Sequence, residues 1–192
     1  MIAAVLLAAG GSARLGQPKQ LLRFRGGSLV RRAAEAALAG GCAPLVTVTG
    51  AHHDAVCAEL GGIAAKPIFN QGWSDGVAGS IRLGVQHVVS ATRPIRAVVL
   101  LACDQPALDA AVVERLIAAF DGRAGRRVAC AYGGTVGVPA LFERSLFERL
   151  TTLEGDRGAK GLLLEEPRLL IRLPWPEGGR DVNRPDDLAR LN

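Results

Sequence analysis

Four short runs of consecutive apolar residues recur along the chain, and each is bounded by residues typical of turns. They cover Ile2–Ala8, Pro44–Thr49, Ala97–Ala102 and Leu169–Leu173. Because none of these runs alternates between apolar and polar positions, each is typical of a strand that is covered on both faces of a parallel sheet.

Segments with the helical spacing of apolar residues separate these runs. They cover Ser28–Leu38, Asp54–Leu60, Gly79–Val89 and Asp109–Phe120. The first residues of two of them, Ser28 and Asp109, are of types that cap helix N-termini. The alternation of strands and helices predicts an α/β fold, a Rossmann-like doubly wound sheet that is mainly parallel.

The order of elements changes after Val128. Val128–Tyr132 and Gly137–Leu141 predict a small inserted β-hairpin that forms one wall of a cleft, and Phe142–Leu150 has the pattern of a helix. A chain of 192 residues with 49% hydrophobic content and no visible linker or repeat is expected to form a single domain, residues 1–192.

Composition limits the classes of ligand. The formal net charge of +5 comes from scattered arginines, and only 4% of the residues are aromatic, which suits a small anionic ligand better than a nucleic acid. The four cysteines have neither zinc-site nor disulfide spacing and are expected to be reduced thiols. No run is long enough to span a membrane and no leader is apparent, so we expect a cytoplasmic protein without membrane or nucleic-acid partners.

The stretch "VLLAAGGSARLGQPKQLL" (residues 5–22) follows the first predicted strand, where ligands of open parallel sheets bind. Gly10 and Gly11 allow the backbone to approach a ligand closely and to direct N–H groups at anionic oxygens, while Ser12, Arg14 and Lys19 add a hydroxyl and two cations. The spacing fits neither the dinucleotide fingerprint nor the Walker A loop. The residues therefore favour a polyphosphate site of another kind, and the alternative is a tight turn with solvated charges.

The same stretch resembles the pattern LAAGxSxRMGxxKxLL of nucleotidyltransferases, with Leu15 in place of the usual methionine. The resemblance continues in order through "NQGWSDGVAGSIRLGV" (70–85), "LACDQP" (101–106), "VPALFERSLFERLTTLEGDRGAK" (138–160) and "DVNRPDDL" (181–188). The chain is thus similar to the MobA-like enzymes that attach a nucleotide to molybdopterin, and most similar to their molybdenum cofactor cytidylyltransferase branch. The resemblance implies the nucleotide-diphospho-sugar transferase type of fold.

The resemblance also implies a nucleotide site and a catalytic set. Its nucleotide-binding residues would be Leu7, Ala8, Ala9, Gly10, Gly11, Ser12, Arg14, Lys19 and Asn70. Arg14, Lys19 and Asp104 would be catalytic. Asn70 is also ordinary turn chemistry in the sequence Asn-Gln-Gly, and both interpretations stand.

Asp104 follows the most apolar run, at the end where a parallel sheet binds its ligands, and this favours a Mg²⁺ ligand over a simple turn residue. By resemblance it is the metal-binding aspartate of the family. The second ligand is expected from Asp181 or Asn183, where Asn183 stands at a position that this branch often fills with aspartate. Asp186 and Asp187 fit the first turn of a terminal helix instead.

A pterin site is implied by the remaining motifs. Ser80 opens a predicted helix whose N-terminal N–H groups could receive the pterin phosphate. In "EGDRGAK", lysine replaces the arginine of the family pattern GDxGAR, which keeps the charge but not the bidentate geometry, although solvated charges would also explain this turn. The expected pterin-binding residues are Trp73, Gly79, Ser80, Asp156 and Lys160.

These expectations define a Mg²⁺-dependent transfer of CMP from CTP to the terminal phosphate of molybdopterin, with release of pyrophosphate. The choice of CTP rests on "LAAG" at residues 7–10, where the guanylyl branch typically has LAGG. The alternatives are a guanylyltransferase acting on the same cofactor, a nucleotidyltransferase acting on a sugar or polyol phosphate, and a non-catalytic cofactor carrier or chaperone. A molybdoenzyme apoprotein is a further candidate partner. A nicotinamide dehydrogenase is disfavoured because its fingerprint is missing.

Overall fold

The fold is built on a seven-stranded sheet that carries helices on both faces. The computed structural model describes residues 1–90, 93–156, 158–183 and 187. The sheet strands are β1 (Ile2–Ala8), β4 (Leu45–Thr49), β5 (Ala65–Phe69), β6 (Ala97–Ala102), β7 (Arg127–Tyr132), β8 (Thr135–Glu143) and β9 (Leu170–Pro174), and two-residue strands β2 (Arg23–Phe24) and β3 (Gly27–Ser28) form a separate pair.

The strand order is β5-β4-β1-β6-β8-β7-β9. Every pairing in this sheet is parallel except those of β8, which runs antiparallel to both β6 and β7. The chain first extends the sheet from β1 to β4 and β5, and then returns to place β6 on the other side of β1. This reversal leaves a crevice at the carboxyl ends of β1 and β6, the usual ligand position in such sheets.

Alternate residues of β1 point to two different hydrophobic cores. The helices around it are α1 (Leu29–Ala39), α2 (His53–Glu59), α3 (Val77–Val89), α4 (Ala110–Ala118), α5 (Phe147–Thr151) and α6 (Lys160–Leu164). Ala4 and Leu6 pack with α1, α2 and α4 on one face, whereas Ala3 and Val5 pack with α3, α5 and α6 on the other. The coverage of both faces explains why the central strands are uninterrupted apolar runs.

The doubly wound, mainly parallel α/β fold with an inserted hairpin is therefore confirmed. Two of the predicted strands have the expected bounds, and the other two are displaced by a single residue at one or both ends. Ser28 and Asp109 are N-caps, and their side chains accept hydrogen bonds from the N–H groups of Arg31 and Val112. Helix α3 begins two residues earlier than expected, at Val77.

The prediction of a helix over Phe142–Leu150 was wrong in its first half. Leu141 and Phe142 extend β8 and pair with β6, and a 3-10 turn over Arg144–Leu146 precedes the short α5. Periodicity alone cannot separate a buried strand end from a buried helix start. Strand β5 was missed because Lys66 and Pro67 interrupt its apolar pattern, which an edge strand tolerates.

The cysteines are free thiols, as expected, and three of the four are buried. Within the described residues no helix has the length and apolar character needed to cross a membrane.

Candidate active site

A cleft of about 650 Å³ opens at the carboxyl ends of β1 and β6. One half is bordered by the glycine-rich loop and Asp104, and the other half by the β7–β8 hairpin, the start of α3 and the residues around α6. Of the residues predicted from the sequence, the cleft is lined by Leu7, Ala8, Ala9, Gly10, Gly11, Arg14, Lys19, Trp73, Ser80, Asp104, Asp156 and Lys160. The topology thus brings together motifs that are up to 153 positions apart in the chain, from Leu7 to Lys160.

The backbone of the glycine-rich loop has its carbonyl groups engaged within the protein. Ala9 O accepts from the N–H of Ala51 at 3.1 Å, and Ser12 O accepts from two later N–H groups of the same turn. Within the described part of the chain, by contrast, the N–H groups of residues 10–14 have no hydrogen-bond acceptor. Ser12 has a positive φ of 55°, a conformation found in anion-binding loops. The loop therefore presents a set of free donors, as a polyphosphate requires.

Gln20 holds this loop in place, and the sequence interpretation missed it. Its side chain is only 1% exposed, and its Nε2 donates to Ala8 O at 3.1 Å and to Gly10 O at 2.6 Å. Ser12 Oγ accepts from the N–H of Lys19 at 3.1 Å and lies 3.4 Å from Gln20 Oε1. The sequence carries no clear signal for this role, because Gln20 lies between Lys19 and Leu21 and its burial is a property of the fold.

Trp73 packs across the glycine-rich loop and fixes its distance from the loop that follows β4. A Cβ on Gly11 would lie 2.9 Å from the Trp73 ring, and one on Gly50 would lie 2.4 Å from Ala9 O and 2.6 Å from Trp73 Cβ. Both positions therefore require glycine for close packing. Trp73 is half-buried and lines the cleft.

Lys19 and Asp104 form an ion pair at the floor of the cleft. Lys19 Nζ lies 2.5 Å from Asp104 Oδ2 and 3.3 Å from Asn183 Oδ1. The side chains of the pair are 20% and 17% exposed, so water screens them only in part. The backbone holds the same arrangement, since the N–H of Val182 donates to Asp104 O at 3.0 Å. The "DVN" segment thus lies against the end of β6, as expected.

The ionisation of the neighbouring groups reflects this crowding. Burial alone would lower the pKa of Lys19, but the charge and hydrogen bond of Asp104 outweigh burial, and the pKa of Lys19 is raised. Burial, followed by the charge of Asp104, raises the pKa of the Asp181 carboxyl to about 6. Asp181 Oδ1 is buried and has no hydrogen-bond partner within the described residues.

This donor set fits a divalent metal ion. Asp104 and Asn183 direct oxygen atoms at the same cation, the Lys19 ammonium, and Asp181 adds a buried oxygen without a partner. Hard divalent ions prefer such oxygen ligands, and Mg²⁺ commonly takes only one or two protein groups beside water and phosphate. No cluster of three His, Cys, Asp or Glu side chains suited to a metal ion occurs in the described residues.

The half of the cleft that is bordered by the β7–β8 hairpin is mostly apolar. Val77, Ile81, Val136, Phe142 and Leu163 line it. Polar groups lie at its margins, where Ser80, Thr135, Asp156 and Lys160 line the cleft. The hairpin forms one wall, as predicted from the sequence. Such a lining suits a small molecule that buries apolar surface and places its polar groups at the margins of the cleft.

Two of the predicted residues line a different cavity. Asn70 and Gly79 line a neighbouring cavity of about 520 Å³ and do not line the main cleft. Asn70 Nδ2 donates to Ser80 Oγ at 2.9 Å, so Asn70 contacts the cleft through Ser80 only. A sequence motif identifies residues that share a loop, but it does not reveal which side of the loop each side chain occupies.

The expected anion site at the start of α3 is partly filled by the protein itself. Gly155 O accepts from the N–H of Ala78 at 3.2 Å, and Asp156 Oδ1 accepts from the N–H of Val77 at 3.5 Å. Arg157 and Asp186, which the sequence motifs also contain, lie outside the described residues. Asp187 accepts through Oδ2 from the N–H of Asn183 at 3.0 Å.

Gln105 is a second buried amide that was not predicted as a site residue. Its Nε2 donates to Val138 O and Gly178 O, both at 3.0 Å, and lies 3.4 Å from the Tyr132 hydroxyl. It therefore links the hairpin wall to the turn that precedes the "DVN" segment. Burial raises the pKa of Tyr132 to about 12, and its hydroxyl donates to Val138 O at 2.7 Å.

The doubly wound sheet carries free loop amides, a lysine and an oxygen-rich cation site at its topological switch point. These features are those of an enzyme of the nucleotidyltransferase class. Residues 4–169 match the MobA-like NTP transferase domain, and the chain belongs to this family.

Named relatives match this chain over nearly its whole length. Nicotine blue oxidoreductase of Paenarthrobacter nicotinovorans is 35% identical over 201 residues, covering 99% of this chain and 96% of that protein. Rv0371c from Mycobacterium tuberculosis H37Rv is 29% identical with a TM-score of 0.81, covering 100% of this chain and 97% of that one. Its manganese complex is 28% identical with a TM-score of 0.76 over 99% and 97% of the two chains. Rv0371c thus forms a complex with manganese.

The fold is shared more widely. Mth528, a nucleotidyl transferase from Methanothermobacter thermautotrophicus, is 22% identical with a TM-score of 0.83, covering 100% of this chain and 95% of that one. At this identity the similarity shows the fold alone, which is the nucleotidyltransferase type expected from the sequence.

Proposed function

We propose that this protein transfers CMP from CTP to the terminal phosphate of molybdopterin or the metal-loaded molybdenum cofactor, in a Mg²⁺-dependent reaction that releases pyrophosphate. The observation that best supports this reaction is the arrangement of groups in the cleft. Gly10, Gly11, Arg14 and Lys19 line the same cleft as Asp104, and the N–H groups of residues 10–14 have no acceptor within the described residues. The Lys19 ammonium contacts oxygens of Asp104 and Asn183, and the other half of the cleft is largely apolar.

The reaction asks little covalent chemistry of the protein. An oxygen of the acceptor phosphate forms a bond to the α-phosphorus of CTP, while the bond from that phosphorus to the bridging oxygen breaks and pyrophosphate leaves. Since the attacking oxygen is already anionic, no side chain has to remove a proton. The protein contributes positions and charge stabilisation instead.

Each group of the site has a role in this proposal. The loop amides hold the triphosphate, and Arg14 and Lys19 offset charge on the α-phosphoryl group and the departing pyrophosphate. Asp104, with Asn183 and Asp181, would hold the Mg²⁺, which would supply positive charge to stabilise the phosphates. Trp73, Ser80, Asp156 and Lys160 would contact the pterin. Asn70 and Gly79 would act indirectly, by positioning Ser80 and the start of α3.

The choice of cytosine rests on the "LAAG" motif at residues 7–10, where the guanylyl branch typically has LAGG. Turnover with CTP, GTP, ATP and UTP, each combined with purified cofactor, tests it through the mass of the dinucleotide product. We expect the cytosine dinucleotide. A preference for GTP would identify a guanylyltransferase, and a product formed only on sugar or polyol phosphates would contradict the proposed acceptor. Cofactor binding without binding of Mg·CTP would instead identify a carrier or chaperone.

A redox function is the second candidate, because the 35% identical relative is named an oxidoreductase. Free loop amides could also receive the pyrophosphate of a nicotinamide dinucleotide. Calorimetric titration with NADH, NADPH and Mg·CTP separates the two functions. Tight binding of a reduced nicotinamide dinucleotide without binding of Mg·CTP would replace the proposed transfer reaction by hydride transfer.

A further inference from the structure

We infer that Lys19 holds the metal position in the nucleotide-free protein, so that the divalent ion enters together with the nucleotide and not before it. The nucleotide part of this inference rests on the proposed function. The metal part concerns only Lys19 and the oxygens that surround it.

The first argument is that Lys19 already uses the oxygens proposed for the metal. Its Nζ lies 2.5 Å from Asp104 Oδ2 and 3.3 Å from Asn183 Oδ1. A divalent ion bound to the same two oxygens would lie within a few ångströms of the ammonium group, and the two cations would repel each other strongly. The ammonium and the metal ion therefore compete for one position.

The second argument is that the competition takes place out of bulk water. The paired side chains are 20% and 17% exposed, and within the described residues Lys19 forms the only ion pair of Asp104. A cation arriving alone would have to separate this pair and leave the partly buried ammonium without the carboxylate that now accepts its hydrogen bond, which is costly.

The third argument is that Lys19 has another destination once a nucleotide is present. Its backbone N–H donates to Ser12 Oγ at 3.1 Å. Ser12 belongs to the loop whose N–H groups at residues 10–14 have no acceptor within the described residues, and Gly10, Gly11 and Arg14 of this loop line the cleft. The flexible four-carbon stem allows the ammonium to turn from Asp104 towards phosphate oxygens without backbone movement. The triphosphate thus attracts Lys19 away from the oxygens that the metal needs.

The test measures binding of Mn²⁺ alone, by electron paramagnetic resonance, to the full chain without nucleotide. Lys19→Gln should bind Mn²⁺ about tenfold or more tightly than wild type, because a positive charge beside the metal position is removed. Lys66→Gln, which removes a charge from the exposed edge strand, is the matched control and should leave the affinity unchanged. An equal gain in both variants, or no gain in Lys19→Gln, would overturn the inference.

Two further variants and ligands complete the design. Asp104→Asn should abolish the Mn²⁺ binding gained in Lys19→Gln, and binding that persisted in the double variant would locate the metal elsewhere and refute the competition. Lys19→Gln should at the same time bind Mn·CTP less tightly than wild type. A variant that binds both the free ion and the complex more tightly would contradict the transfer of Lys19 to phosphate.

A measurement on the wild-type side chain covers the case in which Lys19→Gln does not fold. The sequence contains three lysines, Lys19, Lys66 and Lys160, so ¹³C-methylation gives few NMR signals, which Lys66→Gln and Lys160→Gln assign by elimination. The Lys19 signal should remain in place with Mg²⁺ alone and shift with Mg²⁺ and a non-hydrolysable CTP analogue. A shift of the same size with Mg²⁺ alone would overturn the inference. Neither measurement needs turnover, so loss of the proposed reaction and loss of the competition are distinguishable.

Discussion

Replacing Gln20 by methionine should disorder the nucleotide loop while keeping the volume of the side chain. Gln20 Nε2 donates to Ala8 O and Gly10 O, and methionine cannot donate to either. A buried acceptor that loses its donor costs about 1–3 kcal/mol. Since Ala8 O lies in a fully buried setting and Gly10 O in a partly buried one, we expect a total loss of about 2–4 kcal/mol in the free energy of unfolding.

Thermal unfolding and calorimetry measure the two consequences of Gln20→Met. For a chain of this size Tm should fall by about 5–12 °C. The Kd for Mg·CTP should rise about tenfold, because the loop amides are no longer held in one arrangement before the ligand binds.

Gln17→Met is the matched control, since Gln17 belongs to the same stretch but is exposed. It should leave both quantities near their wild-type values. The reasoning fails if Gln20→Met retains the wild-type Tm, or if it loses stability while binding Mg·CTP as tightly as before. The second result would show that the loop amides keep their directions without the anchored carbonyl groups.

Three further changes test other parts of the structure. Asp104→Asn should fold but lose metal-dependent turnover by a factor of about 100 or more, and near-normal turnover would refute the metal site. Gly84→Ala should lower the free energy of unfolding measured in urea by about 1–3 kcal/mol or more, because its Cβ would lie 2.4 Å from Val5 Cγ1; unchanged stability would contradict this packing. A hydrogen bond from Arg126 lowers the pKa of Asp121 to about 2. Wild type should therefore be more stable than Arg126→Gln above about pH 4, and this difference in the free energy of unfolding should shrink as the pH falls towards 2. A difference that does not change with pH would contradict this pairing.

The main architecture could be predicted because the pattern that builds it is local. A strand buried on both faces must be apolar throughout, and β1 and β6 therefore appear as uninterrupted runs with sharp ends. The meeting of Lys19 and Asp104 follows from topology, since both come after parallel strands and the carboxyl ends of such strands lie at one edge. Edge strand β5 does not carry the same signal, because one side of it needs no partner strand and tolerates Lys66 and Pro67.

The details of the site depended on contacts that spacing does not encode. The sequence placed the residues of the glycine-rich loop together. The hydrogen bonds from Gln20 and Ala51 to the carbonyl groups of this loop depend on the tertiary fold. In the same way, Asn70 and Ser80 belong to one motif, yet Ser80 lines the cleft and Asn70 lies behind it as a donor to the hydroxyl. The motif therefore predicted that both residues lie near the cleft, although only Ser80 of the two lines it.

The distribution of charge in the cleft favours group transfer between phosphates over hydride transfer. Loop residues with free amides and the Lys19 ammonium line the same cleft as the carboxylate of Asp104, so groups of opposite charge lie within one small space. A hydride donor and its acceptor need a close, largely apolar contact and no such pairing of opposite charges. A triphosphate carried by a divalent ion matches it, since phosphate oxygens meet the amides and the lysine while the ion meets the carboxylate. If hydride transfer were the reaction, removal of Asp104 should leave binding of the dinucleotide nearly intact, whereas nucleotidyl transfer requires that the loss of one carboxylate weaken the binding of Mg·CTP.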